Sequence, residues 1–147
     1  MPEMPTVRVN TRIPVAVPEV FPLVSRAEHA VAVIEGLEEL SPIGEQDAGV
    51  GARFDAVLRL GPKTVSAQIE IAELVENRRV TWSSTGGDNR SITFELREVE
   101  QITAVRLTIA YERPDGLGAI LLAPVVEETV RSKAHHTLAR LRELSGS

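Results

Sequence analysis

The sequence predicts an α+β fold: a seven-stranded antiparallel sheet, two short helices after the first strand, and one long C-terminal helix. Three observations predict it. Between Val7 and Tyr111 the chain carries repeated runs in which apolar and polar residues alternate, the period of a half-buried strand. Clusters of turn-forming residues separate successive runs, which makes sequence neighbours antiparallel partners. After Tyr111 the period changes, and apolar residues recur at helical spacing. The 147 residues correspond to a single domain over 1–147. Area scaling buries roughly 68% of such a chain on folding, so a core forms without staples.

The elements follow in order. Val7-Arg8-Val9-Asn10-Thr11-Arg12-Ile13 alternates as a strand, and Pro14 ends it. Pro18 suits a first helical turn, where its missing N–H is not needed, and Glu19 favours the positive end of the helix. Val20, Phe21, Leu23 and Val24 give that helix an apolar face, and Pro22 keeps it short. A second helix is expected over Arg26 to Glu35, stopping at Gly36. A weaker strand lies near Glu39–Gly44. Phe54, Ala56, Leu58 and Leu60 then alternate up to the Gly61-Pro62 turn. Val65, Ala67, Ile69 and Ile71 share the inner face of the next strand, which ends at Glu76-Asn77. Val80, Trp82 and Ser84 lead to the turn cluster Thr85-Gly86-Gly87-Asp88-Asn89. Ile92, Phe94 and Leu96 precede Glu100-Gln101, and Thr103, Val105, Leu107, Ile109 and Tyr111 form the inner face of the last strand.

Leu122, Val126, Val130, Ala134, Leu138 and Leu141, with Thr137 alongside, make the stripe of an amphipathic helix of roughly five to seven turns. Pro124 is expected near its first turns or at a kink, and Gly146 near its end. A sheet with one apolar face and a lone helix with one apolar stripe cover each other.

Composition excludes several function classes. At 43% hydrophobic and 25% charged residues, the chain is globular in composition. Without cysteine there is no disulfide, thiolate nucleophile or Cys-ligated metal. A net charge of −5 and 3% aromatic residues argue against nucleic acid as a partner. Met1 to Pro5 carries no basic-then-apolar leader, and the longest uncharged apolar stretch, Leu117–Val126, is too short for a membrane span. A cytoplasmic location and no integral membrane segment are therefore expected.

This order of elements, with Val15-Ala16-Val17-Pro18-Glu19-Val20-Phe21 after the first strand, resembles the START-like or SRPBCC superfamily, and most nearly its polyketide cyclase/dehydrase-like branch. Trp82 in a middle strand, Leu121-Leu122-Ala123-Pro124-Val125-Val126 entering the last helix, and the tail Leu138-Ala139-Arg140-Leu141-Arg142-Glu143-Leu144 carry the resemblance over nearly the whole chain. It implies a helix-grip fold, a curved sheet wrapped around the C-terminal helix with a cavity between them. It also implies a hydrophobic ligand such as a lipid, isoprenoid, polyketide or plant hormone, with cyclisation or dehydration in a minority of members. Many relatives have a Trp-x-Pro-type segment near the second helix, where this chain has Glu28-His29-Ala30-Val31-Ala32-Val33-Ile34. Cyclase members are expected to project an arginine and hydroxyls from the strands. At the nearest comparable strand this chain offers Ala67 and Ile69.

The inward positions are almost all apolar, so no general acid or base is nominated and no residue is expected to be catalytic. A one-residue bulge would reverse parity and bring in Ser66, Gln68 or Arg53. Trp82 reads either as a core residue with a satisfied indole N–H or as a cavity wall. Tyr111 could orient a ligand or reach solvent. His135 and His136 diverge by about 100° on the helix, and His29 stands alone, so no metal site is expected. Gly49-Val50-Gly51 leads into a strand and is no dinucleotide fingerprint.

The expected function is binding of a small hydrophobic ligand, as carrier or sensor, with no cofactor. The expected ligand-binding residues are Phe54, Trp82, Ser84, Phe94, Tyr111, Leu122, Val126 and Val130, with Asp115-Gly116-Leu117-Gly118 as a lid. Two alternatives stand beside it: a polyketide cyclase/dehydratase-type enzyme, and a protein-interaction module with a vestigial cavity. A homodimer is also left open. An unfilled apolar void of about 400 Å³ would approach ~10 kcal/mol at the rate seen in cavity-forming mutants, the stability of a whole domain. The cavity is therefore expected to be filled, or closed by the helix.

Overall fold

The structure, a computed structural model, describes the backbone of residues 5–60, 62–85, 90–111 and 117–146, with side chains for these apart from 60, 117–125 and 146. The described elements are β1 (Thr6–Ile13), α1 (Val17–Ser25), α2 (Ala27–Val33), β2 (Leu37–Ile43), β3 (Arg53–Leu60), β4 (Lys63–Val75), β5 (Arg79–Ser84), β6 (Ser91–Val99), β7 (Ile102–Ala110) and α3 (Leu117–Gly146). The sheet runs β1-β7-β6-β5-β4-β3-β2, antiparallel throughout. From β2 to β7 this is the meander that the turn clusters predict. β1 closes on β7, with Thr6 opposite Ala110 and Ile13 opposite Thr103. Consequently β1 and β2, adjacent in sequence, lie at opposite edges, and α1 and α2 carry the chain between them.

The turns obey their residues. Val99 pairs with Ile102, and Glu100 and Gln101 between them have φ of 52° and 69°. Both are left-handed, as a two-residue type I′ hairpin requires. Asn77, φ 61°, turns β4 into β5. A bulge between Ile71 and Glu73 reverses the parity of β4, so that Leu74 faces Val80 and packs on the core. It falls beyond Val65, Ala67 and Ile69, whose inward parity is kept.

Helix α1 is preceded by Ala16 at its N-cap, which offers no side-chain cap, and Pro18 occupies its first turn. Strands supply what is missing. The Val17 N–H donates to Glu98 Oε1 on β6 at 3.0 Å, and Thr103 Oγ1 on β7 donates to the Val15 carbonyl at 2.7 Å. Pro22 lies inside α1, and the helix still reaches Ser25, whose hydroxyl donates to Phe21 O at 2.9 Å. Helix α2 ends at Val33, shorter than the expected Arg26–Glu35. Ile34 is already extended, and Gly36, φ 89°, then turns the chain into β2.

Helix α3 has 30 residues and starts at Leu117, earlier than its apolar stripe suggested. Pro124 therefore lies about two turns inside it. Of the expected lid, Asp115 and Gly116 lie outside the described residues, and Leu117 and Gly118 already belong to α3. The helix packs chiefly on β1, and also on α1, α2 and β7. Ala134, Leu138 and Leu141, spaced i, i+4, i+7, are fully buried, while Val126 and Val130 one and two turns earlier are only half-buried. Each buried leucine contributes roughly 1.5–3 kcal/mol. The C-terminal half of α3 is thus its anchor.

Trp82 ties the sheet to the helices. It is buried on β5, its ring centroid 5.8 Å from that of Phe54, and its indole Nε1–H donates to the Val24 carbonyl of α1 at 2.9 Å. Trp82→Phe keeps much of the packing and leaves Val24 O without its donor. A loss of about 1–3 kcal/mol in urea unfolding is expected, and unchanged stability would show that the bond contributes nothing. In the β6–β7 turn, replacing Glu100-Gln101 by Asn-Gly relieves two left-handed non-glycine residues. An increase of about 1 kcal/mol is expected in the same assay, and no gain would contradict the assigned strain.

Candidate functional site

A cavity of about 680 Å³ lies between the sheet and the middle turns of α3. Its floor comes from alternate residues of five strands: Leu58 on β3, Ala67 and Ile69 on β4, Trp82 and Ser84 on β5, Ile92 on β6, and Leu107 and Ile109 on β7. Period-two alternation places these on one face, and the pairings Trp82–Ile92 and Ile92–Ile109 set them side by side. The roof is the α3 stripe Val126, Thr129, Val130, Lys133 and Thr137. An end wall is formed by Ile34-Glu35-Gly36-Leu37, the connection between α2 and β2.

That wall is bolted to the roof. The Glu35 N–H donates to Thr137 Oγ1 at 3.0 Å, and the Glu35 carboxylate pairs with Arg140 at 2.9 Å. The Gly36 carbonyl accepts from the Arg59 N–H at 2.7 Å. A Cβ on Gly36 would come within 3.1 Å of Arg59 O and 3.7 Å of Lys133 Nζ, and its φ of 89° disfavours any L side chain. Glycine is what lets α2, β3 and α3 converge here. Arg59, also on this rim, pairs with Glu38 at 3.5 Å.

The expected binding residues divide. Trp82, Ser84, Tyr111, Val126 and Val130 line the cavity. Phe54 and Phe94 are fully buried, do not border it, and fill the core beside it. The Leu122 side chain lies outside the described residues. The Ser84 hydroxyl is engaged with the backbone of Arg90, accepting from its N–H at 2.9 Å and donating to its carbonyl at 3.3 Å. It closes the β5–β6 connection. Tyr111 is nearly buried, 8% exposed, and so does not extend into solvent. Sequence reasoning missed Glu35, Gly36, Arg59, Lys133 and Thr137 as site residues. A charge on the apolar stripe of α3, three residues after Val130, was the signal available for Lys133.

His29, His135 and His136 are exposed, and among the described residues no three metal-ligating side chains cluster. No described helix is long and apolar enough to cross a membrane. A larger concavity of about 1190 Å³ lies elsewhere, bordered by Arg12, Arg79, Glu95, Arg97 and Arg106. Its charges are largely solvated. Arg79 there hydrogen-bonds Glu73 and pairs with Glu95, which holds its pKa above the ordinary value. Of the two concavities, the one under α3 offers apolar walls.

Three of the solved structures that share the fold illustrate the likeness. A Thermus thermophilus protein is 24% identical with a TM-score of 0.80, over 96% of this chain and 97% of that one. A START superfamily protein from Mycobacterium smegmatis is 9% identical with a TM-score of 0.76, over 95% and 96%. The Aha1 dimer of Colwellia psychrerythraea, a solution structure, is 15% identical with a TM-score of 0.65, over 95% of both chains. No curated protein sequence matches. The family described as polyketide cyclase / dehydrase and lipid transport matches residues 4–146. With its seven-stranded antiparallel sheet, two short helices and long C-terminal helix, a fold it shares with the START superfamily protein, the chain belongs to that polyketide cyclase / dehydrase and lipid transport family.

Proposed function

We propose that the protein binds a small hydrophobic molecule in the cavity under α3, as a carrier or sensor. The observation that carries this is the cavity itself: about 680 Å³, floored by aliphatic side chains of four strands with Trp82 of a fifth, and roofed by Val126 and Val130. That volume lies in the range of roughly 300–1,000 Å³ typical of small-molecule sites. Burying apolar surface there is favourable by roughly 25 cal/mol per Å². The lipid-transport part of the family description supports the same reading. The open volume of the cavity supports this reading over an interaction module with a vestigial one.

Trp82 is the only tryptophan and borders the cavity, so its fluorescence reports occupancy without a label. Titration with a neutral apolar probe such as N-phenyl-1-naphthylamine is expected to saturate and to change Trp82 emission. Ala67→Phe puts a ring into the cavity from the middle of its floor. A folded Ala67→Phe protein is expected to lose roughly tenfold or more in probe affinity, given the size of excluded-volume clashes. Unchanged affinity would overturn the site. Native mass spectrometry with extraction names any co-purifying ligand and reads the subunit mass, which checks for a homodimer. Conversion of a bound polyketide-type compound, followed in the same extracts, would move the assignment to a cyclase or dehydratase.

A further inference from the structure

Apart from Arg90, Ser84 and Ser91 where β5 leads to β6, the cavity has a polar corner at the α2–β2 wall, and the charges of that corner do not cancel. At the wall formed by Glu35 and Gly36, the Glu35 carboxylate is held by Arg140 and the Arg59 guanidinium by Glu38. Lys133 borders the cavity at the same corner, close enough to Gly36 that a Cβ there would lie 3.7 Å from its Nζ. No ion pair joins Lys133 to any carboxylate among the described residues. A chain of net charge −5 therefore presents a positive corner in its least polar concavity.

A second donor stands one turn away. Thr137 follows Lys133 by four residues and so shares its helix face. The Thr137 oxygen accepts the Glu35 N–H at 3.0 Å, and among the described residues its own O–H has no acceptor. The threonine is 3% exposed, so water is not the natural partner of that proton. An ammonium and a hydroxyl on adjacent turns suit a head group with two acceptor oxygens and one negative charge.

Resting on the binding reading above, we propose that the ligand is an amphipath with a carboxylate head: the acid meets Lys133 Nζ and Thr137 Oγ1, and the apolar tail runs along Ile69, Trp82, Ile109, Val126 and Val130. The test compares dodecanoic acid with dodecanol and with acetate, read by Trp82 fluorescence. The acid is expected to bind roughly tenfold or more tighter than the alcohol, the scale of a hydrogen bond to a charged group. Acetate is expected not to bind, because head and tail act together. Lys133→Met keeps length and helix propensity and removes the charge. It is expected to bring the acid down to the affinity of the alcohol and leave the alcohol unchanged, and Thr137→Val to reduce the acid preference in part. Equal binding of acid and alcohol to the native protein, or an acid preference that survives Lys133→Met, would overturn the head-group assignment alone. If neither long-chain compound binds, the apolar-ligand reading fails with it.

Discussion

The structure depends on the burial of Ala134, Leu138 and Leu141 under the C-terminal half of α3. An antiparallel sheet exposes a whole apolar face unless something covers it, and this chain has one long helix for the task. Seating the C-terminal turns of that helix in close contact satisfies the sheet where β1 and the short helices meet it. The earlier turns, with Val126 and Val130 half-buried, then stand over the remaining strands without filling the space below. Among the described side chains of α3, the cavity lies where burial is shallower than at the C-terminal turns.

Topology sets the second requirement. Because β1 pairs with β7 and β2 closes the far edge, α1 and α2 must cross the sheet. Their placement is fixed by long-range hydrogen bonds: Glu98 and Thr103 at the entry to α1, Trp82 beneath its end, Thr137 and Arg140 after α2. These contacts give buried polar groups their partners, as a close-packed interior demands. They also bring the α2–β2 connection to the roof helix, where it walls the cavity.

The sheet was legible in the sequence because alternation is a local signal, and one face of every strand had to be buried. Val65, Ala67 and Ile69 faced inward as read, since the β4 bulge comes only after Ile71. Depth along a strand was not legible. Phe54 and Phe94 have the same parity as Trp82, yet they lie in the core beside the cavity, because parity specifies a face and not what packs above it. The corner of Glu35, Gly36, Lys133 and Thr137 was hidden for another reason. Its members are about a hundred residues apart in sequence, as in the Glu35–Thr137 bond, and no local period records such a meeting. Gly36 was read as a helix stop, and its closeness to Arg59 and Lys133 is a tertiary fact. Ser84 was read as a hydroxyl for a ligand, but backbone groups of the following turn engage it first.

The deep burial of the C-terminal turns of α3 has a consequence for how such a protein can diverge. Burial is deepest around Ala134, Leu138 and Leu141, while the turns around Val126 and Val130 roof the cavity, on one helix but at different heights. Substitutions at sites that share no partners add independently. Roof positions can therefore be exchanged to reshape the cavity while the fold keeps its margin. A scaffold arranged in this way accumulates new specificities without first acquiring compensating mutations elsewhere.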